Sequence, residues 1–193
     1  MRKGFTLIEL MIVIAIIAII AAIAVPNLLE SRITANESSA AASLKSGIFP
    51  AQVQFQGAGY IDVDSDGQGV YCTDHSFLAG QTGTGTTITS APVNALSLLP
   101  PEWNVNGGDG TDISGYGFAL AVDTTENNAE KFWAAYSAPA TFGDTGRRCF
   151  SITQSSNISA SKGTYTATSA TLANMTANPT EVWQSDPVDG ATV

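Results

Sequence analysis

The sequence predicts an α+β protein in which a long N-terminal helix packs on a small antiparallel β-sheet with long loops. Residues 5–25 form an almost wholly apolar run, and apolar residues with helical spacing continue beyond it. Further along, three short segments have the composition of β-strands. These patterns divide the chain into a short basic segment (1–4), an apolar helix (5–26), its amphipathic continuation (27–56) and a β-rich globular head (57–193).

The apolar run follows two basic residues, at positions 2 and 3. From Phe5 to Val25 it would form a helix of roughly 31 Å, which can cross a bilayer core of about 30 Å. Three interpretations are open. The segment is a secretory signal peptide cut near Ala22-Ile23-Ala24, a signal anchor with its basic end in the cytoplasm, or a helix that is retained after cleavage between Gly4 and Phe5.

Glu9 favours the third interpretation. A carboxylate inside an apolar segment costs about 2.5–3.5 kcal/mol to insert, and neither a signal peptide nor an anchor has a use for it. Cleavage after Gly4 would create a cationic α-amino group on Phe5, close to Glu9 in sequence. Staggered helices in a filament can place Glu9 of one subunit beside the Phe5 amine of the next, and this pairing would remove the penalty.

The string Gly4-Phe5-Thr6-Leu7-Ile8-Glu9 resembles the type IV prepilin cleavage and methylation motif at every position. The resemblance implies a pilin fold, with residues 1–4 as a prepilin leader that a prepilin peptidase removes between Gly4 and Phe5. It also implies N-methylation of Phe5 and a role for Glu9 in filament assembly. The leader motif marks a whole superfamily of filament subunits.

The implied function is that of a structural subunit and not of an enzyme. The precursor would wait in the inner membrane, where the pilus assembly machinery would add it to a helical homopolymer that becomes an extracellular filament. Two alternatives stay open. One is a pseudopilin of a type II secretion or DNA-uptake system. The other is a monotopic envelope binding module that uses a prepilin leader for export.

The helix is expected to continue to about Gln56. Pro26 cannot donate a backbone hydrogen bond, so a kink or local loosening is predicted there. Beyond it, apolar residues recur at spacings of three, four or seven and form a stripe that would pack on the head: Leu29, Ile33, Ala40, Leu44 and Ile48. Gly47 and Pro50 should disturb the last turns, and Gly57-Ala58-Gly59 should end the helix.

Three strands are predicted in the head, at residues 116–122, 131–137 and 147–153. Short loops join them, which favours antiparallel neighbours. Their order is similar to that of the pilin sheet. Segments 79–110 and 154–193 are rich in Gly, Thr, Ser and Asn, and we expect loops there, with a further strand around residues 163–168.

Asp62, Asp64 and Asp66, followed by Gly67, match the opening half of a calcium-binding loop. The pattern then fails, because Thr73 stands where a bidentate Glu belongs. Calcium and a solvated acidic turn therefore both remain open. No other cofactor is required.

Cys72 and Cys149 are the only two cysteines, and both lie in the head. Since an exported domain meets an oxidising compartment, we expect a disulfide between them, with two buried thiols as the alternative.

The 8 basic and 17 acidic residues give a net charge of −9. This charge argues against binding to nucleic acid, which needs a basic surface. With one histidine, His75, which we expect in an exposed loop, and no nucleophile motif, no catalytic residue is assigned.

Overall fold

The computed structural model describes residues 5–83, 88, 90, 92–94, 96–103, 113–122 and 126–162. The helices and turns are α1 (Leu7–Ala42), a π-helical segment (Ser43–Ile48), α2 (Phe49–Gly57), α3 (His75–Leu78), a 3-10 turn (Pro101–Trp103) and α4 (Glu126–Ala129). The strands are β1 (Tyr116–Val122), β2 (Trp133–Pro139), β3 (Arg148–Thr153) and β4 (Ile158–Lys162), in one antiparallel sheet of order β1-β2-β3-β4. The predicted α+β fold class is confirmed.

The N-terminal helix runs without a break from Leu7 to Gly57, as the sequence predicts to within two residues. The π-helical segment explains how the helix continues through Gly47 and Pro50, where a disturbance was predicted. Pro50 has no N–H to donate, and the N–H of Phe49 bonds the carbonyl of Leu44, five residues earlier. The helix accommodates Pro50 by forming a wider turn and does not end there.

Pro26 lies inside α1, and α-helix continues on both sides of it. Hydroxyl groups of the next turns bond back to the helix, as Ser31 Oγ does to the carbonyl of Asn27 at 2.9 Å. The kink at Pro26 stays a prediction.

The predicted apolar stripe is buried against the head, with one exception. Ile33, Ala40, Leu44 and Ile48 are 0–4% exposed, whereas Leu29 is 47% exposed and was wrongly included. The stripe continues through Ala51 and Phe55 to the end of α2. The head does not cover Leu29, because the turn that leads into β3 extends along the helix only as far as Glu30.

The sheet confirms two predicted strands, shifts a third and adds a fourth. β1 and β3 lie where they were expected, and β2 begins two residues later than predicted. The prediction of a loop at residues 158–162 was wrong, because β4 pairs with β3 from Arg148↔Lys162 to Ile152↔Ile158. Pairing along β3 decides this strand, since its own sequence is polar. The strand expected around residues 163–168 lies outside the described residues.

Contacts with the helix fix which way the sheet is oriented. At one end the rings of Trp133 and Phe49 lie 5.9 Å apart. At the other end Asn36 Nδ2 donates to the carbonyl of Thr145 at 3.0 Å. The strands therefore run along the helix, and the turn between β2 and β3 lies at the end nearer to the helix N-terminus.

Candidate assembly segment and its junction with the head

Residues 5–25, called here the apolar half of the helix, are not covered by the rest of the chain. Fourteen large apolar side chains of this segment are 52–90% exposed: Phe5, Leu7, Ile8, Leu10, Met11, Ile12, Val13, Ile14, Ile16, Ile17, Ile19, Ile20, Ile23 and Val25. The helix that contains them is long and apolar enough to cross a membrane. A helix that is apolar on every side must be covered by lipid or by other protein.

Glu9 has a partner within its own chain that the sequence analysis missed. Its Oε2 atom accepts the Thr6 backbone N–H at 2.9 Å and the Thr6 hydroxyl at 2.6 Å, and Thr6 Oγ1 accepts the Glu9 N–H at 3.4 Å. This capping box closes the first turn of α1. The spacing Thr-x-x-Glu before an apolar run was the signal that could have identified it.

The other predicted residues of the processing site are placed only in part. Phe5 is 90% exposed and precedes the helix, and Gly4 lies outside the described residues. Cleavage, methylation and pairing of Glu9 with another subunit stay predictions.

Glu37 is a second glutamate of α1 that sequence reasoning missed. It is 6% exposed and continues the stripe between Ile33 and Ala40. Its Oε1 accepts the Arg147 N–H at 3.0 Å, and its Oε2 accepts Arg148 Nε at 2.7 Å and contacts Arg148 Nη2 at 2.6 Å. Glu37 thereby fastens the start of β3 to the helix. Its place within an apolar stripe was the available signal, because a buried carboxylate needs a charged partner.

Tyr116 strengthens the same junction. Its hydroxyl donates to the carbonyl of Arg148 at 2.7 Å, which ties β1 to β3 beside the helix. Burial, together with the nearby Glu37 carboxylate, raises the pKa of Tyr116. The phenol therefore stays protonated and keeps donating.

The predicted calcium ligands Asp62, Asp64 and Asp66 do converge, since one ligand atom of each lies within 4.8 Å of the others. Backbone amides already bond these carboxylates: Asp62 accepts from Ser65 and Gly67, at 2.7 and 3.1 Å. These bonds also suit an acidic turn without a cation, so the calcium site stays a prediction.

The predicted disulfide is absent from the structure, which holds Cys72 and Cys149 as buried thiols. The two cysteines have different surroundings. Cys72 lies against α2, where Gln52 bonds both its N–H and its carbonyl at 2.8 and 2.7 Å, and its Sγ donates to the Asp74 carbonyl at 3.0 Å. Cys149 lies within β3, opposite Ser161 of β4. Burial raises the pKa of the Cys72 thiol, which makes it unreactive.

His75 is 2% exposed, so the prediction of an exposed loop residue was wrong. Its ring packs edge-on against Trp103 at 5.9 Å. Burial lowers the pKa of His75, although Asp74 beside it acts in the opposite direction. It is a neutral core residue at pH 7.

Comparisons with known proteins match parts of this chain. Residues 1–25 match the prokaryotic N-terminal methylation motif. The chain is 56% identical over 46 residues to the type IV wide pilus major component PilA4 of Thermus thermophilus, which covers 24% of this chain and 35% of that protein. It is 51% identical over 54 residues to the type IV major pilin protein PilA of Myxococcus xanthus, which covers 28% of this chain and 24% of that protein.

No solved structure matches the chain. The chain spans only about a third and a quarter of the lengths of these two relatives. Within that span, the resemblance to type IV pilins and the presence of a methylation motif are confirmed.

Proposed function

We propose that this chain is a structural subunit of a type IV pilus-like filament, assembled through its N-terminal helix after cleavage between Gly4 and Phe5. The observation that supports this most strongly is the exposure of the apolar half, 52–90% at each of its large side chains. A water-soluble protein of this size would not leave so long an apolar helix exposed to solvent.

Lipid and then other subunits would cover the apolar half in turn. As a helix, residues 5–25 measure roughly 31 Å, which matches the membrane core in which the precursor would wait. The prokaryotic N-terminal methylation motif matches residues 1–25, which include this segment. In the filament, the same side chains would pack against the apolar halves of neighbouring copies.

Glu9 would give the assembly its axial register. Its hydrogen bonds to Thr6 use Oε2 alone, so Oε1 can accept a bond from the Phe5 amine of a neighbouring subunit while the Thr6 capping box persists. A cation placed there would neutralise a carboxylate that is otherwise isolated among apolar side chains. Methylation of that amine keeps its positive charge.

Prepilin peptidase and the assembly machinery of the inner membrane are the partners that this function requires. Cleavage before Phe5 removes the two basic residues at positions 2 and 3, which would otherwise hold the helix at the cytoplasmic face. The processed helix could then leave the bilayer.

Electron microscopy of surface filaments, combined with the intact mass of their subunit, tests the proposal. We expect filaments built of a chain that lacks residues 1–4 and carries one methyl group. A mature chain that begins near Val25 would restore the signal-peptide interpretation. A processed chain without surface filaments would favour a pseudopilin or an envelope binding module.

A further inference from the structure

Cations are concentrated at the end of the head that faces the apolar half. Six Lys and Arg residues follow Gly4 in the chain. Of the five whose side chains the structure describes, three lie at this end, in the turn before β3, at the start of β3 and on α1: Arg147, Arg148 and Arg32. Among the described residues, three carboxylates share this end: Glu30, Glu37 and Asp144.

In the rest of the described head, acidic side chains clearly outnumber basic ones. Its two cations are Lys45 and Lys131. They accompany six acidic residues whose side chains are described: Asp62, Asp64, Asp66, Asp74, Glu102 and Glu130. Most of the Lys and Arg side chains that the structure describes therefore lie at one end of the head.

The position of Arg147 along the helix shows what this end would meet. Its Nη1 atom lies 3.8 Å from Glu30 Oε1. Glu30 follows Val25 by five residues, or roughly 7–8 Å of helix axis. The polar headgroup layer on each side of a bilayer is about 5–8 Å thick. With the apolar half across a membrane, the Arg147 guanidinium therefore lies at the depth of the lipid phosphates.

The side chains at this level are available and of suitable types. Arg148 is engaged by Glu37, but Arg147 is 57% exposed and makes only a long contact with an exposed carboxylate. Phe142, in the same turn, is also largely exposed. Between the turn and α1 there is a cleft of about 280 Å³, bordered by Glu30, Ile33, Thr34, Glu37, Arg147 and Arg148. Aromatic and basic residues are those that proteins place at membrane interfaces.

We propose that residues 140–147, called here the docking turn, bind anionic phospholipid headgroups on the outer face of the inner membrane. Arg147 of this turn and Arg32 of α1 would be the contacting cations. This inference rests on the proposed function, because it requires the apolar half to span that membrane. The turn would hold the head against the bilayer while the precursor waits, and would be released when the subunit is extracted.

Hydrogen exchange of the docking turn tests the proposal in the full-length chain. The chain is reconstituted in nanodiscs of phosphatidylcholine alone or of phosphatidylcholine with phosphatidylglycerol. Because each cation near an anionic surface favours binding about five-fold, we expect amides 140–147 to exchange about five-fold more slowly, or more, in the anionic discs. High salt should abolish the difference.

A matched pair of variants separates local charge from total charge. Arg32→Gln/Arg147→Gln should abolish the slowing, whereas Lys45→Gln/Lys131→Gln, which removes the same number of cations elsewhere, should preserve it. Equal exchange in both lipids, or slowing that survives the arginine double variant, would overturn the inference. Absence of slowing in both discs, together with loss of filaments in the arginine double variant, would also overturn the inference. That result would assign the turn to a contact between subunits.

Failure of the proposed function is recognised separately. If an alkaline carbonate wash removes the chain from vesicles, the apolar half does not span the bilayer and the parent proposal fails. If the chain resists the wash but its docking turn does not respond to anionic lipid, only the further inference fails.

Discussion

The apolar half (residues 5–25) and the stretch from Ile33 to Phe55, called here the packed half, belong to one continuous helix but differ in how apolar residues are distributed around it. In the apolar half they occupy every side and are 52–90% exposed. In the packed half most of them form one stripe that is 0–4% exposed against the head, although Val53 is 47% exposed. The distribution, more than the amount, indicates whether a helix is covered by its own chain or by something else.

The two glutamates of the helix show the same difference. Glu37 of the packed half is neutralised by Arg148 of its own chain. Glu9 of the apolar half bonds only neutral donors of Thr6, among the described residues. The Glu37 carboxylate therefore has its cationic partner within the monomer. Glu9 has none among the described residues, and another chain could supply one.

Replacing Glu9 should have the largest effect on function. Glu9→Ala should insert into the membrane at least as well as the natural chain, because it removes a charge from an apolar segment. It should nevertheless abolish filaments, since the Phe5 amine would lose its partner. Electron microscopy and membrane fractionation measure the two outcomes.

Glu9→Gln is the informative control for that experiment. A glutamine at this position can keep the capping box with Thr6 but carries no charge. Filaments formed by Glu9→Gln would show that the cap is sufficient, which would contradict the charge-pairing argument.

The second prediction compares one isoleucine from each half. Ile48→Ala should lower the free energy of unfolding of the head by about 2–5 kcal/mol, because it leaves a cavity in a closed core. Ile17→Ala should change it by less than about 0.5 kcal/mol, since that side chain contacts nothing in the head. Denaturant titration of the full chain in detergent, followed by tryptophan fluorescence, measures both. Similar losses for the two variants would mean that the apolar half also supports the head.

The third prediction compares a buried and an exposed carboxylate of α1. Glu37→Ala should cost about 1–3 kcal/mol, because charged hydrogen bonds to Arg147 and Arg148 are lost, while partial exposure of Arg148 limits the penalty. Glu30→Ala should cost about 0–1 kcal/mol, because its contact with Arg147 is long and solvated. The same denaturant titration measures them, and a reversed order would contradict the junction described here.

The sequence predicted the elements that local pattern determines. The helix was found to within two residues, and β1 and β3 within one, because periodicity and turn residues define them. It missed β4, whose polar sequence Ile158–Lys162 becomes a strand only through pairing with β3. It misjudged Leu29, since no local signal shows where the head ends along the helix.

The site residues divide in the same way. Glu9 could be singled out because a charge in an apolar run is visible in the sequence. Glu37 could not be paired with Arg148 from sequence, because the contact joins residues that are far apart in the chain and depends on the sheet orientation. The disulfide could not be decided from sequence for a similar reason: the number of cysteines and the compartment do not show whether two side chains come within bonding distance.

Calcium should have an effect no larger than that of Glu37→Ala, and it concerns carboxylates in neither half of the helix. Asp62, Asp64 and Asp66 lie just beyond α2, and their bonds to local amides stabilise the turn without a cation. Extracellular calcium sites bind at about 0.1–1 mM, so 10 mM calcium should add roughly 1–3 kcal/mol to the stability of the head. The midpoint of thermal unfolding should therefore rise by a few degrees relative to chelator, and Asp64→Asn should remove the rise.

Asp144→Asn, which removes an exposed carboxylate at the other end of the head, should keep the rise. Equal midpoints with calcium and with chelator in the natural chain would leave these three residues as a solvated turn, whose amide bonds alone explain their convergence.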